Sequence, residues 1–345
     1  MQFEALGRSV LAAVLALTGT LTLAGCAASV ADGAEARDRK VILEGEVGAP
    51  GSGPASLDGW QLVWSDEFEG PEIDTSKWGF DIDCWGGGNA ERQCYTDREE
   101  NAAIADGKLL ITARREDFTG PALPPYLSAK APDPAATATR SYTSARMVTR
   151  GKASWKYGRI AVRAKLPQGQ GTWPAIWMLP EDNAYGGWAL SGEIDIMEAV
   201  NLGVPCNDCL NGRESTILGT LHFGGQWPDN ALHSEEIAYP AVLEGFHTFE
   251  VMWEPGRMVW SVDGRKFAEK TADDWYTNAD ASAEAPFDKP FHLILNLAIG
   301  GGLPEERGLG GVSDEGFPKR MEVDWVRVWQ CSPDATGPNG CAREE

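Results

Sequence analysis

Residues 160–166 read IAVRAKL, and apolar side chains occupy every second position of this run. Because side chains alternate across a β-strand, its apolar residues would share one face of an extended segment. The same period returns at residues 249–253 and 258–262, which flank the turn sequence EPGR, and at residues 321–329. Such runs, separated by Gly, Pro, Asp and Asn, predict an antiparallel all-β protein. The shared face of the first run comprises Ile160, Val162, Ala164 and Leu166.

The alternating pattern begins at Trp60 and continues without an internal repeat or a second change of composition. We therefore expect one domain over residues 59–345, built as a single β-sandwich whose curved sheets offer a concave face. The best helical candidate, residues 272–285, is short and polar. The proline-rich stretch at residues 117–140 predicts a surface loop.

The N-terminal segment is mostly apolar and ends in the sequence LAGC, whose cysteine is Cys26. Its apolar run is shorter than the about 20 residues of a membrane-spanning helix and is typical of a signal peptide. LAGC resembles a bacterial lipobox, so we expect residues 1–25 to be a lipoprotein signal peptide and Cys26 to carry lipid at the outer face of a bacterial membrane. A plain secretory signal is the alternative, and the weakly basic start counts against both. Residues 26–58, rich in Ala, Gly, Pro and Ser, predict a flexible tether.

The overall charge restricts the choice of partner. The chain of 345 residues has 51 Asp and Glu against 30 Lys and Arg, a formal net charge of −21. Nucleic-acid binding depends on clustered basic groups, so this class of function is excluded. The 14 Trp residues suit either stacking on an uncharged sugar or packing in the core. We expect a neutral ligand, a monomer, and contact with a membrane only through the lipid anchor.

The cysteines other than Cys26 fall into three close couples. An exported protein meets oxidising conditions, so six remaining cysteines predict disulfides. Among the fifteen pairings that six cysteines allow, we choose the local one. The CxxC spacing at residues 206–209 leaves zinc as an alternative, but no second CxxC or His pair completes four ligands. The chosen pairs are Cys84–Cys94, Cys206–Cys209 and Cys331–Cys341.

Residues 192–200 read GEIDIMEAV, with three acids separated by apolar residues that favour burial on the opposite face. In a regular strand Glu193 and Asp195 share a face, while Glu198 points away. One extra residue at positions 196–197 would correct this, because a β-bulge re-aims the side chains that follow it. We therefore predict a bulge that places all three carboxylates on one face.

Three carboxylates on one concave face suit glycoside hydrolysis. Retaining enzymes place two carboxyl groups about 5–5.5 Å apart, one as the nucleophile and one as the general acid and then the base. Asp195 between them would hydrogen-bond the nucleophile and, through like-charge coupling, help to keep Glu198 protonated. A strand with an accidental acidic edge is the alternative.

The string EIDIME has the ExDxxE form of the glycoside hydrolase family 16 β-glucanases, and the chain resembles their bacterial laminarinase-like endo-1,3-β-glucanases. The resemblance implies a concanavalin A-like β-jelly-roll sandwich of two curved antiparallel sheets with a concave substrate cleft. It also implies Glu193 as nucleophile, Asp195 as helper and Glu198 as general acid/base, in an endo-hydrolase of β-1,3-glucan without an organic cofactor. The other matching motifs are LVWSDEF, GKLLITA, YGRIAVRAKLPQGQGTWPAIWMLP, GTLHFGG, LNLAIGG and MEVDWVRVW.

Substrate-binding residues are implied by the same resemblance. Trp173 and Trp177, four apart, would lie on one face of a strand, where an indole covers the apolar face of a pyranose. Core packing is the alternative for both. His222 is expected to contact sugar or the catalytic acids, with a buried structural histidine as the alternative. Further candidates at the cleft edge are Asn89, Glu91, Arg146 and Trp188.

A structural calcium ion on the convex side is a further implication of the resemblance. Its ligands would be the backbone carbonyls of Glu67 and Gly107 and the side chain of Asp324, consistent with hard oxygen ligation. An ordinary exposed strand position for Asp324 is the alternative.

Rival functions stay open at this point. They are hydrolysis of mixed-linkage glucan or of algal galactans, transglycosylation, and glucan binding without catalysis. A sulfated galactan would favour a basic cleft, whereas this chain is acidic. Binding proteins on this sandwich usually lack the glutamates, and both Glu193 and Glu198 are present.

Overall fold

The computed structural model of the chain describes residues 40–41, 59–307 and 309–332. The described residues form two β-sheets with short helices in the connections, all within one compact unit, Arg39–Glu345. Neighbouring strands pair antiparallel except at two edges, where the pairing is parallel. The fold is the predicted all-β jelly-roll sandwich. The α-helices are α1 (Pro125–Ser128) and α2 (Gly302–Glu306), and 3₁₀ turns span Leu210–Gly212 and Pro240–Leu243.

One sheet, called the front sheet here, has eight strands and contains the acidic string. In spatial order its strands are β1 (Lys40–Val41), β13 (Asn230–Ala238), β12 (Thr216–Gly224), β11 (Glu193–Glu198), β10 (Thr172–Pro180), β17 (Phe291–Ile299), β8 (Arg146–Val148) and β3 (Gly79–Phe80).

The other sheet, the back sheet, has ten strands. Its main path is β16 (Arg265–Thr271), β15 (Arg257–Val262), β14 (His247–Glu254), β9 (Gly158–Lys165), β18 (Lys319–Cys331), β6 (Lys108–Pro121), β7 (Thr137–Ser144) and β4 (Gln93–Tyr95), with β2 (Trp60–Asp66) on β18 and β5 (Ala102–Ala105) on β6.

The core lies between the two sheets. In β9 the alternating residues Ile160, Val162 and Ala164 are fully buried, and Ile194 of β11 faces them from the front sheet within the same apolar cluster. This is the arrangement that period-two patterning predicts for a half-buried strand. Half of the Trp residues are also buried, five in this core and Trp325 and Trp329 in a separate cluster with Ala161, so composition alone overstated how many are free to stack on a ligand. The buried ones are Trp78, Trp155, Trp253, Trp260, Trp275, Trp325 and Trp329.

Two local predictions were wrong. Residues 272–285 form turns and not a helix, because Trp275 and Phe287 insert into the core, where their rings meet edge to face. The stretch 117–140 is a loop only in part: β6 extends to Pro121 and β7 begins at Thr137, so the two strands form a long hairpin connected by residues 122–136. Residues 118–121 pair with residues 137–140, and the other four prolines of the stretch lie in the connection.

The predictions of a tether and of three disulfides concern residues that the structure describes only in part. Within the segment predicted as a tether, Lys40–Val41 form a short strand on β13, and the rest of residues 1–58 lies outside the described residues. The structure contains the disulfides Cys84–Cys94 and Cys206–Cys209. Cys26 and Cys341 lie outside the described residues, so the lipidation and the pairing of Cys331 stay predictions.

Candidate active site

Strand β11 carries the acidic string and contains the predicted bulge. Against β12, Asp195 pairs with Thr220 and Glu198 with Leu218, so three steps on β11 match two on its neighbour. The register against β10 shifts at the same place. The intervening apolar side chains, Ile194, Ile196 and Met197, are buried in the core. One extra residue therefore turns Glu198 toward the side of the sheet that Glu193 and Asp195 already face.

His222 of β12 lies among the carboxylates. It pairs with Glu193 across the two strands. Its Nε2 is 3.4 Å from Asp195 Oδ2 and 3.7 Å from Glu193 Oε1. A carboxylate oxygen of each acid and a ring nitrogen of the histidine all lie within 4.8 Å of one another. The sequence left two roles open for His222, contact with sugar or the acids and a buried structural role. The structure places it in contact with the acids.

Each glutamate accepts a hydrogen bond from one indole. Nε1 of Trp188 donates to Glu193 Oε2 at 2.7 Å, and Nε1 of Trp173 donates to Glu198 Oε1 at 2.9 Å. The Trp188 ring also lies 5.4 Å from the His222 ring, measured between centroids. Both tryptophans are thus held in the cleft by polar contacts and are not core residues.

The close packing of these groups changes their protonation. Burial, followed by the charges of Glu193 and Glu198, raises the pKa of Asp195 well above its usual value. Burial also raises the pKa of Glu198, although the charge of His222 and the Trp173 hydrogen bond oppose the rise. For His222, burial lowers the pKa, but contact with Asp195 and the three carboxylate charges outweigh it and raise the pKa to about 9.

These shifts define what the cluster does near neutral pH. His222 is an imidazolium that offsets part of the negative charge, and Glu198 retains its proton more readily than an exposed glutamate. Glu193, Asp195 and His222 are close enough to hold a metal ion. A protonated imidazole has no lone pair for a metal, however, so this charge state favours proton chemistry.

Trp177 of β10 and Arg146 of β8 contact each other across the intervening strand β17. The Arg146 guanidinium carbon is 4.6 Å from the Trp177 ring centroid, and Arg146 Nε is 3.2 Å from Asp81 Oδ2. Nε1 of Trp177 donates to Asn296 Oδ1 at 2.7 Å, and Asn296 donates to Tyr95 at 3.0 Å. Arg146 therefore covers one face of this indole, and direct sugar contact by either residue stays a prediction.

Asn89 and Glu91 lie in the segment beside Trp173. Asn89 is exposed, and its Nδ2 donates to Glu91 Oε1 at 3.3 Å. Glu91 is 7% exposed and also accepts hydrogen bonds from Gln93 and Tyr95. Asn89 is thus accessible to a ligand. Glu91 is buried and holds the side chains of Gln93 and Tyr95 in place through hydrogen bonds.

Two residues that line this region were missed from the sequence. Asn296 is a lone polar residue in the apolar run LILNLAI, and that break in the pattern was its signal. Trp227 is 70% exposed, and its backbone N–H donates to the carbonyl of Trp188 at 3.0 Å. Its position in GGQWPDN, after a strand and beside glycines, marked a turn without revealing its exposure.

The predicted calcium ligands lie away from this cluster, on and beside the back sheet. Asp324 of β18 forms an ion pair with Arg163, and the Glu67 side chain pairs with Arg327 at 2.8 Å. An ion at Asp324 would have to share this carboxylate with a guanidinium whose charge opposes it. The donor set thus fits calcium poorly while Arg163 keeps this position, and calcium stays a prediction.

A β-sandwich whose front sheet presents three carboxylates, with an indole donor on each glutamate, has the carboxyl groups that glycoside hydrolysis requires. Residues 93–327 match the model described as glycosyl hydrolases family 16, and the chain belongs to that family. No helix among the described residues is long and apolar enough to cross a membrane.

Individual relatives agree with this assignment. The chain is 41% identical over 297 residues to the glucan endo-1,3-beta-glucosidase A1 of Niallia circulans, covering 82% of this chain and 39% of that relative. It therefore spans less than half of that relative. It is also 41% identical over 281 residues to a beta-glucanase of Rhodothermus marinus, covering 79% of this chain and 85% of the relative. The laminarinase structure from Rhodothermus marinus is similar with a TM-score of 0.64 at 39% identity, covering 79% of this chain and 98% of that one.

Proposed function

We propose that this chain is a retaining endo-hydrolase of internal β-1,3-glucosidic bonds in neutral β-glucans such as laminarin. The observation that carries the proposal is the bulged strand β11, which aims Glu193, Asp195 and Glu198 at one side of the front sheet. The names of the relatives support the glucan and the linkage.

The proposal gives each group a role in two successive displacements. Glu193 attacks the anomeric carbon while Glu198 gives its proton to the leaving glycosidic oxygen, forming a glycosyl-enzyme. Glu198 then takes a proton from water as the water attacks, and the configuration at the anomeric carbon is restored. The Trp188 N–H orients the Glu193 carboxylate, and the burial that raises the pKa of Glu198 keeps its proton available.

Asp195 and His222 tune this pair. With the pKa of His222 near 9, its positive charge limits the repulsion among three carboxyl groups only 2–5 residues apart on one strand. Asp195, 2% exposed and with a pKa raised well above its usual value, holds a proton more readily and can share it with a neighbouring carboxylate. Neither residue needs to touch the scissile bond to act.

Specificity for a neutral glucan follows from the lining of the cleft. Indoles offer stacking surface to uncharged sugars, and the acidic chain opposes sulfated galactans. The test is reducing-sugar release and product sizing on laminarin, lichenan, agarose and xylan in parallel. We expect laminarin to be cut best, with internal cleavage products. A ranking with agarose or lichenan above laminarin would reject the linkage and leave the mechanism open.

The assignment of the acids has its own test. Glu193→Gln and Glu198→Gln should each abolish laminarin hydrolysis while the far-ultraviolet circular dichroism stays that of the wild type. Asp195→Asn should be milder, because the amide keeps a hydrogen-bonding group. Near wild-type turnover by Glu198→Gln on an unactivated glucan would disprove its role as the acid.

We also propose that the protein is exported, lipidated at Cys26 and monomeric. The support is the LAGC string after an apolar run. Metabolic labelling with a radioactive fatty acid should label the wild type and not Cys26→Ala, and light scattering should give the mass of one chain. Equal labelling of both forms would reject the lipidation site.

A further inference from the structure

The row of residues that crosses the front sheet at Glu198 continues onto the next two strands. Glu198 of β11 pairs with Leu218 of β12, and Leu218 pairs with Glu236 of β13. Residues paired across neighbouring strands point to the same side of a sheet. Glu236 therefore faces the same side as Glu198, two strand spacings or about 10 Å away.

Arg307, which directly follows α2, donates two hydrogen bonds to Glu236 of this row. Its Nη1 and Nη2 donate to Glu236 Oε2 and Oε1 at 2.9 and 2.8 Å, a two-pronged contact. The side chains of Arg307 and Glu236 are only 7% and 17% exposed. Nε of Arg307 has no hydrogen-bond partner among the described residues. A guanidinium that is buried and fixed in this way is screened by solvent less than an exposed one.

We propose that Arg307, held by Glu236, is a positioning residue for the reaction, acting through its charge on the Glu198 carboxyl from the β13 side of the cleft. The proposal rests on the acid/base role of Glu198 in the proposed function. It adds a residue pair that lies outside β11 and outside the EIDIME string.

The charged and polar groups that face Glu198 come from four elements. They are the other two carboxylates of β11, the His222 imidazolium of β12, the Trp173 N–H of β10 and the Arg307 guanidinium. Burial raises the pKa of Glu198, and the charges of His222 and Arg307 lower it again. A group that must first give and then retake a proton works best when its pKa lies near the working pH. Arg307 therefore keeps Glu198 from holding its proton too tightly for the second step.

Replacing Arg307 and replacing Glu236 should shift the pKa of Glu198 in opposite directions. Arg307→Gln removes the positive charge and its contact with Glu236, so the alkaline limb of kcat/KM on laminarin should move to higher pH. Glu236→Gln frees the positive charge of Arg307 from its partner, so the limb should move to lower pH. Each shift should be about half a pH unit or more. The double variant removes the pair without changing the net charge, and its limb should lie close to that of the wild type.

A merely structural role would lower activity without opposite shifts. The matched control is Arg327→Gln, which breaks a similar two-pronged pair with Glu67 on the back sheet and should leave the limb in place. Thermal melting checks that each variant is folded. If one single variant does not fold, the double variant is compared with the remaining single variant and with the wild type. Limbs of both single variants that coincide with the wild type, or that move in the same direction, would overturn the proposal.

A second readout separates this proposal from the proposed function. Carbon-13 NMR titration of the glutamate carboxyl groups, assigned through Glu198→Gln, follows the Glu198 proton without any turnover. Opposite shifts of the Glu198 resonance midpoint in the two single variants would support the proposal even if laminarin were not the substrate. Unchanged midpoints with normal laminarin hydrolysis would overturn the role of Arg307 alone.

Discussion

At the scale of single residues, the tryptophans of the cleft have a role that neither stacking nor core packing describes. The indole N–H groups of Trp188 and Trp173 each donate a hydrogen bond to a glutamate of β11. An indole nitrogen that donates to a carboxylate fixes both the rotamer of the acid and the preferred location of its charge. The N–H edges of these rings therefore hold the acids in place.

Replacing Trp173 by Phe tests this role, because the ring stays and the donor is lost. The hydrogen bond lowers the pKa of Glu198, so Trp173→Phe should move the alkaline limb of kcat/KM to higher pH. We also expect a loss of about 10- to 150-fold in kcat/KM, the equivalent of one hydrogen bond to a charged group. Trp253→Phe, which removes an indole donor that bonds the Phe287 carbonyl at 3.1 Å away from the acids, is the control. An unchanged limb in Trp173→Phe would reject the role of the donor.

His222 couples the site to the stability of the fold. Its folded-state pKa is about 9 against an ordinary value of 6.5, so the stabilisation is fully present below pH 6.5 and is lost as pH rises through about 9. A shift of this size corresponds to about 3–4 kcal/mol. The Tm of the wild type should fall between pH 7 and pH 9.5 by more than that of His222→Gln. Parallel Tm profiles of the two proteins would contradict the raised pKa.

Much of the site could be predicted at this scale, but only where the sequence pattern itself carries the signal. The acids Glu193, Asp195 and Glu198 stood out because apolar residues separate them. The partners of Trp173 and Trp188 could not be predicted, because a hydrogen bond between side chains far apart in sequence or on a loop depends on the fold and leaves no local pattern.

At the scale of elements, the bulge in β11 is supported from below by the back sheet. Nε1 of Trp260, in β15, donates to the backbone carbonyl of Asp195 at 2.9 Å. Gly219 of β12 makes room for this ring: a Cβ there would lie 2.7 Å from Trp260 Cδ1. The missing side chain thus lets an indole reach the strand that bears the acids.

Gly219→Ala should therefore damage both stability and activity. The added methyl group would force the Trp260 ring away from Asp195, and overpacking of a core costs about 1–3 kcal/mol. Denaturant unfolding and kcat on laminarin measure the two effects. Gly70→Ala is a suitable control, since its Cβ would meet only the Glu72 carbonyl oxygen at 3.5 Å. Equal unfolding free energies for Gly219→Ala and the wild type would contradict the account.

The elements differed in how well the sequence predicted them. Strands such as β9 and β14 followed from alternation, because burial on one face imposes that period. The failure at residues 272–285 has a physical cause: two aromatic anchors, Trp275 and Phe287, override a weak local helical preference. The hairpin of β6 and β7 was hidden because prolines at its tip resembled those of a loop.

At the scale of the whole molecule, the predicted calcium ion would stabilise the folded chain at the back sheet. An ion that binds only the folded chain raises Tm with concentration. If Asp324 is a ligand, calcium should raise Tm in the wild type and not in Asp324→Asn. Arg163→Gln should respond more strongly, because the competing guanidinium is gone. The same response to calcium in Asp324→Asn as in the wild type would place any ion elsewhere.

The central claim is that a single bulge turns one acidic strand into a nucleophile and an acid/base pair that act in two displacements. Proton NMR of laminarin during the first minutes of hydrolysis tests it most directly, before mutarotation mixes the anomers. Two displacements restore the configuration, so the first reducing ends to appear should be β-anomers, and the α signal should grow only later. An α-anomer formed first would show a single displacement and would contradict the roles assigned to Glu193 and Glu198.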